Sequence, residues 1–160
     1  MEMIKAIITD FSRVLLFPID DSYAGGLNKL NNKLLAENPH YNFWEYFKIN
    51  QELLDYYREL NDEIPVFVFT SESIQEHPAV RQEIDSVFSG ILSALDFGLQ
   101  KSDSNVYRAV ANRLQLPSSE ILFIDDNAIN ATQAMAAGMQ ALRYESNQQT
   151  IDQVNAVLQK

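Results

Sequence analysis

Residues 121–127 read ILFIDDN, an apolar run that ends in two adjacent carboxylates, Asp125 and Asp126. Side chains that are apolar at every position must be covered on both faces. The run therefore reads as a buried strand of a parallel sheet. Acids at the C-terminal end of such a strand fall where open α/β sheets bind ligands. Two carboxylates at short range repel each other, and a divalent cation relieves that repulsion. Early in the chain, IKAIITDF ends the same way, with Asp10. Two acid-tipped strands point to a magnesium site.

Strand and helix patterns alternate along the chain. Residues 4–10, 65–70, 90–97, 121–125 and 139–144 read as five strands, the third the weakest. Pro65 opens the second strand, where a missing N–H is tolerated. SDSNVYRAVANRLQL sets Val106, Val110 and Leu114 at helical spacing, and Leu116-Pro117 ends that helix. NAINATQAMAAG stops at Gly138, a residue type suited to the position just past a helix. TIDQVNAVLQK carries Ile151, Val154 and Leu158 on one side. This repetition predicts an α/β fold: a doubly wound, Rossmann-like, mostly parallel five-stranded sheet. Residues 22–60 carry no strand signal and read as two or three short helices, broken around Asn38-Pro39. A bare crossover does not need them. The expectation is one domain over 1–160, with a core of 1–19 and 61–160. A small helical cap, about 20–60, is inserted after the first strand.

Composition narrows the function. A chain of 160 residues holds one domain with a proper core. No apolar run approaches the roughly 18 residues of a membrane helix, and MEMIKAIITDF does not read as a signal peptide. There is no cysteine, which excludes disulfides, a thiol nucleophile and a thiolate metal site and fits a reducing cytoplasm. The 12 basic and 22 acidic residues leave a net charge of −10. That balance argues against nucleic acid or an anionic membrane as partner. A phosphorylated substrate must then meet a local positive charge.

Four groups of residues converge if the fold is right. Asp10 follows the first strand, Thr70 and Ser71 the second, Lys101 the third, and Asp125 and Asp126 the fourth. All stand at C-terminal strand ends, so one crevice would collect them. A carboxylate can act as nucleophile. A hydroxyl and a lysine can hold phosphoryl oxygens. Magnesium held by carboxylates can screen the charge between a carboxylate and a phosphate.

On these segments the sequence resembles the haloacid-dehalogenase-like (HAD) hydrolase superfamily. IITDFSRVL resembles its first motif and VFVFTS its second. FGLQKSDSNVYRAVANRLQLPSSEILFIDDNAINATQAMAAGMQALRY is very close to its third and fourth with their spacing. The resemblance implies Asp10 as nucleophile and magnesium ligand, with the backbone carbonyl of Ser12 and Asp126 as further ligands. Asp125 and Asn130 would hold metal-bound water or neighbouring loops. Thr70 and Lys101 would bind the phosphoryl group, assisted by the Ser71 amide. The expected activity is a magnesium-dependent phosphatase acting on a small phosphorylated molecule.

One position departs from the pattern. Phosphatases of this group usually carry a second aspartate two residues after the nucleophile, to protonate the leaving oxygen and then activate water. Here that residue is Ser12, whose hydroxyl does neither well. General acid–base help is typically worth about 10²–10⁴ in rate. Alkyl phosphates should therefore react slowly, and acyl or aryl phosphates should suffer less. Ser12 opens one alternative, a silent member that binds magnesium and phosphate as a regulator. A metal-free haloacid dehalogenase is another, and the retained Asp126 disfavours it. The aromatic residues Tyr41, Phe43, Trp44, Tyr46, Phe47, Tyr56 and Tyr57 read as packing of the lid or a dimer contact before a substrate pocket. His40 and His77 have no matching ligand partners. Arg13, three residues past Asp10, is placed to face a substrate anion. A short lid leaves the crevice open, which permits larger substrates or a homodimer that covers it.

Overall fold

A computed structural model describes residues 2–160. The chain runs β1 (Ala6–Thr9), β2 (Leu16–Pro18), α1 (Leu27–Glu37), β3 (Phe47–Ile49), α2 (Gln51–Asn61), β4 (Val66–Thr70), α3 (Pro78–Ile84), β5 (Gly90–Ser93), α4 (Ser104–Leu114), β6 (Ile121–Asp125), α5 (Ala128–Ala136), β7 (Gln140–Arg143) and α6 (Asn147–Leu158). Five strands form one parallel sheet in the order β5-β4-β1-β6-β7. This is the doubly wound arrangement expected from the alternating pattern. Every residue of β1 and β6 is buried, as strands covered on both faces require.

Successive side chains divide between two layers. Ile7, Val68, Leu122 and Ile124 pack on one face with Leu53 and Tyr57 of α2, Val80 of α3 and Val154 of α6. Ile8, Phe69 and Phe123 pack on the other with Val106, Tyr107 and Val110 of α4 and Ala134 of α5. β1 is central. The chain builds β4 and β5 on one side of it, then returns to build β6 and β7 on the other. The reversal between β1 and β6 is the switch point at which open sheets part their loops and bind ligands.

Three details differ from the sequence expectation. The third strand stops at Ser93, because the Ser93 hydroxyl and the Asp96 carboxylate cap a short turn of helix over Ala94–Phe97. Residues 22–60 do contain a strand: β3 pairs antiparallel with β2, in the register Phe17↔Lys48. Three-residue strands thirty positions apart give no local period to read. Finally, α2 packs into the core instead of standing apart in a cap. Its Leu53, Leu54, Tyr57 and Leu60 are buried in the core, and the Tyr57 hydroxyl meets Thr9 Oγ1 of β1 at 3.0 Å. The expected cap segment thus includes the crossover helix into β4. Gly138 follows α5 with φ 96°, the left-handed position glycine fills without strain.

Candidate active site

The switch point brings the acid-tipped strands side by side. Thr9 pairs with Ile124 in register, and the Asp10 amide donates to the Ile124 carbonyl at 2.8 Å. Asp10 and Asp125 therefore leave adjacent strands at the same level. The chain then folds sharply after Asp10. The Phe11 carbonyl accepts from the amides of Leu15 at 2.8 Å and Leu16 at 3.0 Å, and Arg13 N–H donates to the Leu16 carbonyl at 2.7 Å. The Ser12 carbonyl accepts none of the bonds that close this turn. Arg13 sits at φ 61°, a left-handed conformation that costs a non-glycine residue about 1 kcal/mol or more. Its guanidinium Nη2 donates to the carbonyls of Tyr23 at 3.0 Å and Gly25 at 2.7 Å, tying the turn to the segment that enters α1.

Lys101 is the electrostatic centre. Its side chain is 3% exposed, and its ammonium lies 2.8 Å from Asp10 Oδ1 and 2.8 Å from Asp125 Oδ2. A third bond reaches the Phe69 carbonyl at 3.2 Å. The Tyr107 hydroxyl fixes the lysine backbone by donating to its carbonyl at 2.6 Å. Asp10 Oδ1 also accepts from the Phe11 amide at 2.8 Å. The other Asp10 oxygen takes no bond from the backbone or from Lys101.

Burial pushes the Asp10 carboxyl up to about 8; the Lys101 charge pulls against that rise and the Asp125 charge adds to it. Burial acts in the same direction on Asp125. There Lys101, the Asn127 amide at 2.8 Å and the Asn130 side-chain amide at 3.1 Å outweigh it and hold the carboxyl below its ordinary range. Asp126 is held high by its own burial and then by the charge of Asp125. Burial alone would lower Lys101, but the charges of Asp10 and Asp125 keep it raised.

Asp10, Asp125 and Asp126 each offer a carboxylate oxygen, all within 4.8 Å of one another. Three hard oxygen donors at this spacing suit magnesium. The charges fit as well: with all three acids ionised, three carboxylates and one ammonium sum to −2, which one divalent cation neutralises. Asp125 is already saturated by Lys101, Asn127 and Asn130. It is built to position the lysine and the following loop, leaving Asp10 and Asp126 with oxygens to spare.

The remaining expected residues line the same cleft, about 270 Å³ in volume: Ser12, Thr70, Ser71 and Asn130. The Thr70 hydroxyl donates to the Glu72 carbonyl at 3.1 Å. Ser71 is exposed at the rim. Arg13 also lines the cleft. The aromatic cluster does not. Phe43 and Phe47, both of the 22–60 segment, stack at 4.5 Å in the core. His77 packs on Phe43 at 4.5 Å and caps α3 by accepting from the Ala79 amide. Sequence reasoning missed Asn28, Glu72, Gln75 and Asn127 as cleft residues. Asn127 was findable, since it follows the acid doublet and caps α5. The other three come from loops and from a helix start with no local signature.

Comparison with known proteins agrees with this geometry. The family model described as haloacid dehalogenase-like hydrolase matches residues 23–144. The chain is 29% identical over 85 residues to the enolase-phosphatase E1 of Caenorhabditis elegans, an alignment that takes in 50% of this chain and 34% of that protein. The chain thus spans about a third of the length of the curated relative it matches. Among solved structures it is similar to a HAD family enzyme from Bacteroides thetaiotaomicron in complex with magnesium and inorganic phosphate. That likeness has a TM-score of 0.67 and 13% identity, over 90% of this chain and 96% of that one. It is similar also to a predicted HAD-like family hydrolase from Porphyromonas gingivalis, with a TM-score of 0.65 and 16% identity, over 99% and 100% of the two chains. At such identities the structural likeness shows a shared fold.

Proposed function

Because the chain belongs to the haloacid dehalogenase-like hydrolase family, we propose that it is a magnesium-dependent phosphatase working through an aspartyl-phosphate on Asp10. Its substrate is a small phosphorylated molecule. One observation carries the reading: three carboxylates within 4.8 Å, with a buried ammonium between two of them, at the switch point of the sheet. The magnesium and phosphate bound by the Bacteroides enzyme support it, as does the phosphatase name of the nematode relative.

Each residue has a physical task. Lys101 and the Phe11 amide hold one Asp10 oxygen, which fixes the carboxylate and aims its other oxygen. That oxygen bonds to phosphorus as the bond from phosphorus to the leaving oxygen breaks. Lys101 compensates charge on the phosphoryl group as it passes, and Thr70 and the Ser71 amide border its path. Water then attacks the phosphorus and returns the carboxylate. Asp10, Asp126 and the Ser12 carbonyl would hold magnesium, which supplies charge screening between the carboxylate and the phosphoryl oxygens. Asp125 and Asn130 keep Lys101 and the β6 loop in place. The part of the 20–60 segment that precedes α2 acts as the cap, and its small size leaves room for a second copy of the chain to cover the cleft. Among the described residues no helix is long and apolar enough to cross a membrane. The lack of cysteine fits a cytoplasmic setting.

Ser12 favours one second reading, a silent member that binds magnesium and phosphate without turnover. An aryl-phosphate assay with and without magnesium separates the two. The phosphatase turns over only with the metal. A silent member shows no turnover but is stabilised thermally by magnesium with phosphate or orthovanadate. A metal-free dehalogenase has no use for the three-acid cluster, and chloride release from a 2-haloacid without magnesium is its test.

A further inference from the structure

Breaking a phosphate ester of an alcohol demands a proton for the departing oxygen, and Ser12 is a poor source of one. The cleft offers few others. Asp10, Asp125 and Asp126 are committed to one another and to Lys101. The Arg13 guanidinium is spent on the Tyr23 and Gly25 carbonyls. No histidine lines the cleft among the described residues. One titratable side chain remains there, Glu72.

We infer that Glu72, on the loop after β4, is the general acid and base of this site, in place of a residue at Ser12. β4 lies beside β1 in the sheet, so the Glu72 loop borders the Asp10 loop. Its backbone is held firmly. The Glu72 carbonyl accepts from Thr70 Oγ1 at 3.1 Å, Gln75 Nε2 at 2.8 Å and Ser93 Oγ at 3.3 Å. The next amide, of Ser73, donates to Asn28 Oδ1 of α1 at 3.2 Å. The carboxylate itself is exposed at the rim and makes no hydrogen bond or ion pair among the described residues. Its neighbour Glu76 is by contrast held by Arg81 at 2.9 Å. A pinned backbone with an uncommitted carboxyl in the cleft that holds Asp10 suits proton transfer.

The inference rests on the phosphatase reading. In the first step the Asp10 oxygen bonds to phosphorus, the bond to the leaving oxygen breaks, and that oxygen takes the Glu72 proton. In the second, the Glu72 carboxylate takes a proton from water as the water oxygen bonds to phosphorus. The bond from phosphorus to Asp10 then breaks and returns its electron pair to the carboxylate. Inorganic phosphate leaves, and Glu72 is an acid again.

The test compares kcat/KM, which reports the phosphorylation step, for 4-nitrophenyl phosphate and for glycerol 3-phosphate in wild type and Glu72→Gln. The aryl leaving group departs without a proton and the alkyl one does not. Glu72→Gln should lower the alkyl value by about 10²–10⁴ and the aryl value by less than tenfold. Adding Ser12→Asp to that variant should restore the alkyl value. Equal losses on both substrates, or none on either, overturn the role of Glu72 and leave the phosphatase reading intact. No aryl turnover by the wild type with magnesium overturns both.

Discussion

The two walls of the cleft share Lys101 and differ in what else holds them. On the β6 wall, Asp125 takes its other bonds from residues two and five positions on, and Asn127 caps the helix that follows. On the β1 wall, Asp10 takes its other bond from the next amide, of Phe11. There Arg13 bears a left-handed backbone and reaches away to the entry to α1. The first wall fixes charge in a rigid frame. The second ties the proposed nucleophile to the segment that enters α1, with backbone strain at Arg13 of the kind that clusters at functional sites.

The sharpest way to break this contrast is to remove the proposed nucleophile alone. Asp10→Asn should abolish aryl-phosphate turnover to background while leaving the fold intact, because the amide keeps the shape and relieves the crowding of acids. Residual turnover within tenfold of wild type would move the chemistry off the β1 wall. Lys101→Met comes next in size. It leaves Asp10 and Asp125 buried without their counter-charge, and breaking a buried pair this way costs about 3–5 kcal/mol. Chemical denaturation measures the loss, and magnesium should recover part of it. An unchanged midpoint would show that the acids do not depend on the lysine.

The pH dependence follows from Asp10. Its carboxyl is raised in the folded protein from an ordinary 3.8 to about 8. Between those values the folded state holds a proton that the unfolded chain has released. The contribution of this group to metal-free stability is present at low pH and is lost as pH rises through that window. Magnesium at the proposed site would take the place of the proton. Its stabilisation, about 2.7 kcal/mol at a hundredfold excess over Kd, should therefore be larger at pH 8 than at pH 6. Melting curves with and without magnesium test this, and a gain that shrinks toward pH 8 would contradict the raised Asp10.

The same contrast explains what the sequence made legible. ILFIDDN carries its apolar run, its acids and its helix cap within seven residues, so the β6 wall could be read directly. The sheet was legible because burial on both faces leaves unbroken apolar runs. The β2–β3 ribbon was not, since three-residue strands have no period and pair across thirty residues. Lys101 could be placed near the acids, but its position between two of them follows from the register of β1 and β6. Glu72 and Gln75 gave no signal because their part in the cleft depends on a loop shaped by Ser93 and Asn28.

The smallest effect tests the local character of the β6 wall. Asn127 Oδ1 accepts from the amides of Ile129 at 2.8 Å and Asn130 at 3.3 Å. Its own backbone amide donates to Asp125. Asn127→Ala removes the cap and keeps the amide. The cap should be worth about 1 kcal/mol, a fall in Tm of about 2–4 °C for a chain of this size. Magnesium affinity should change less than about threefold, because Asp125 retains its backbone bond, Lys101 and Asn130. Thermal melting and a magnesium titration of the same variant separate the two quantities. If the loss of metal affinity outruns the loss of stability, the cap does more than hold the β6 loop, and the contrast with the β1 wall fails.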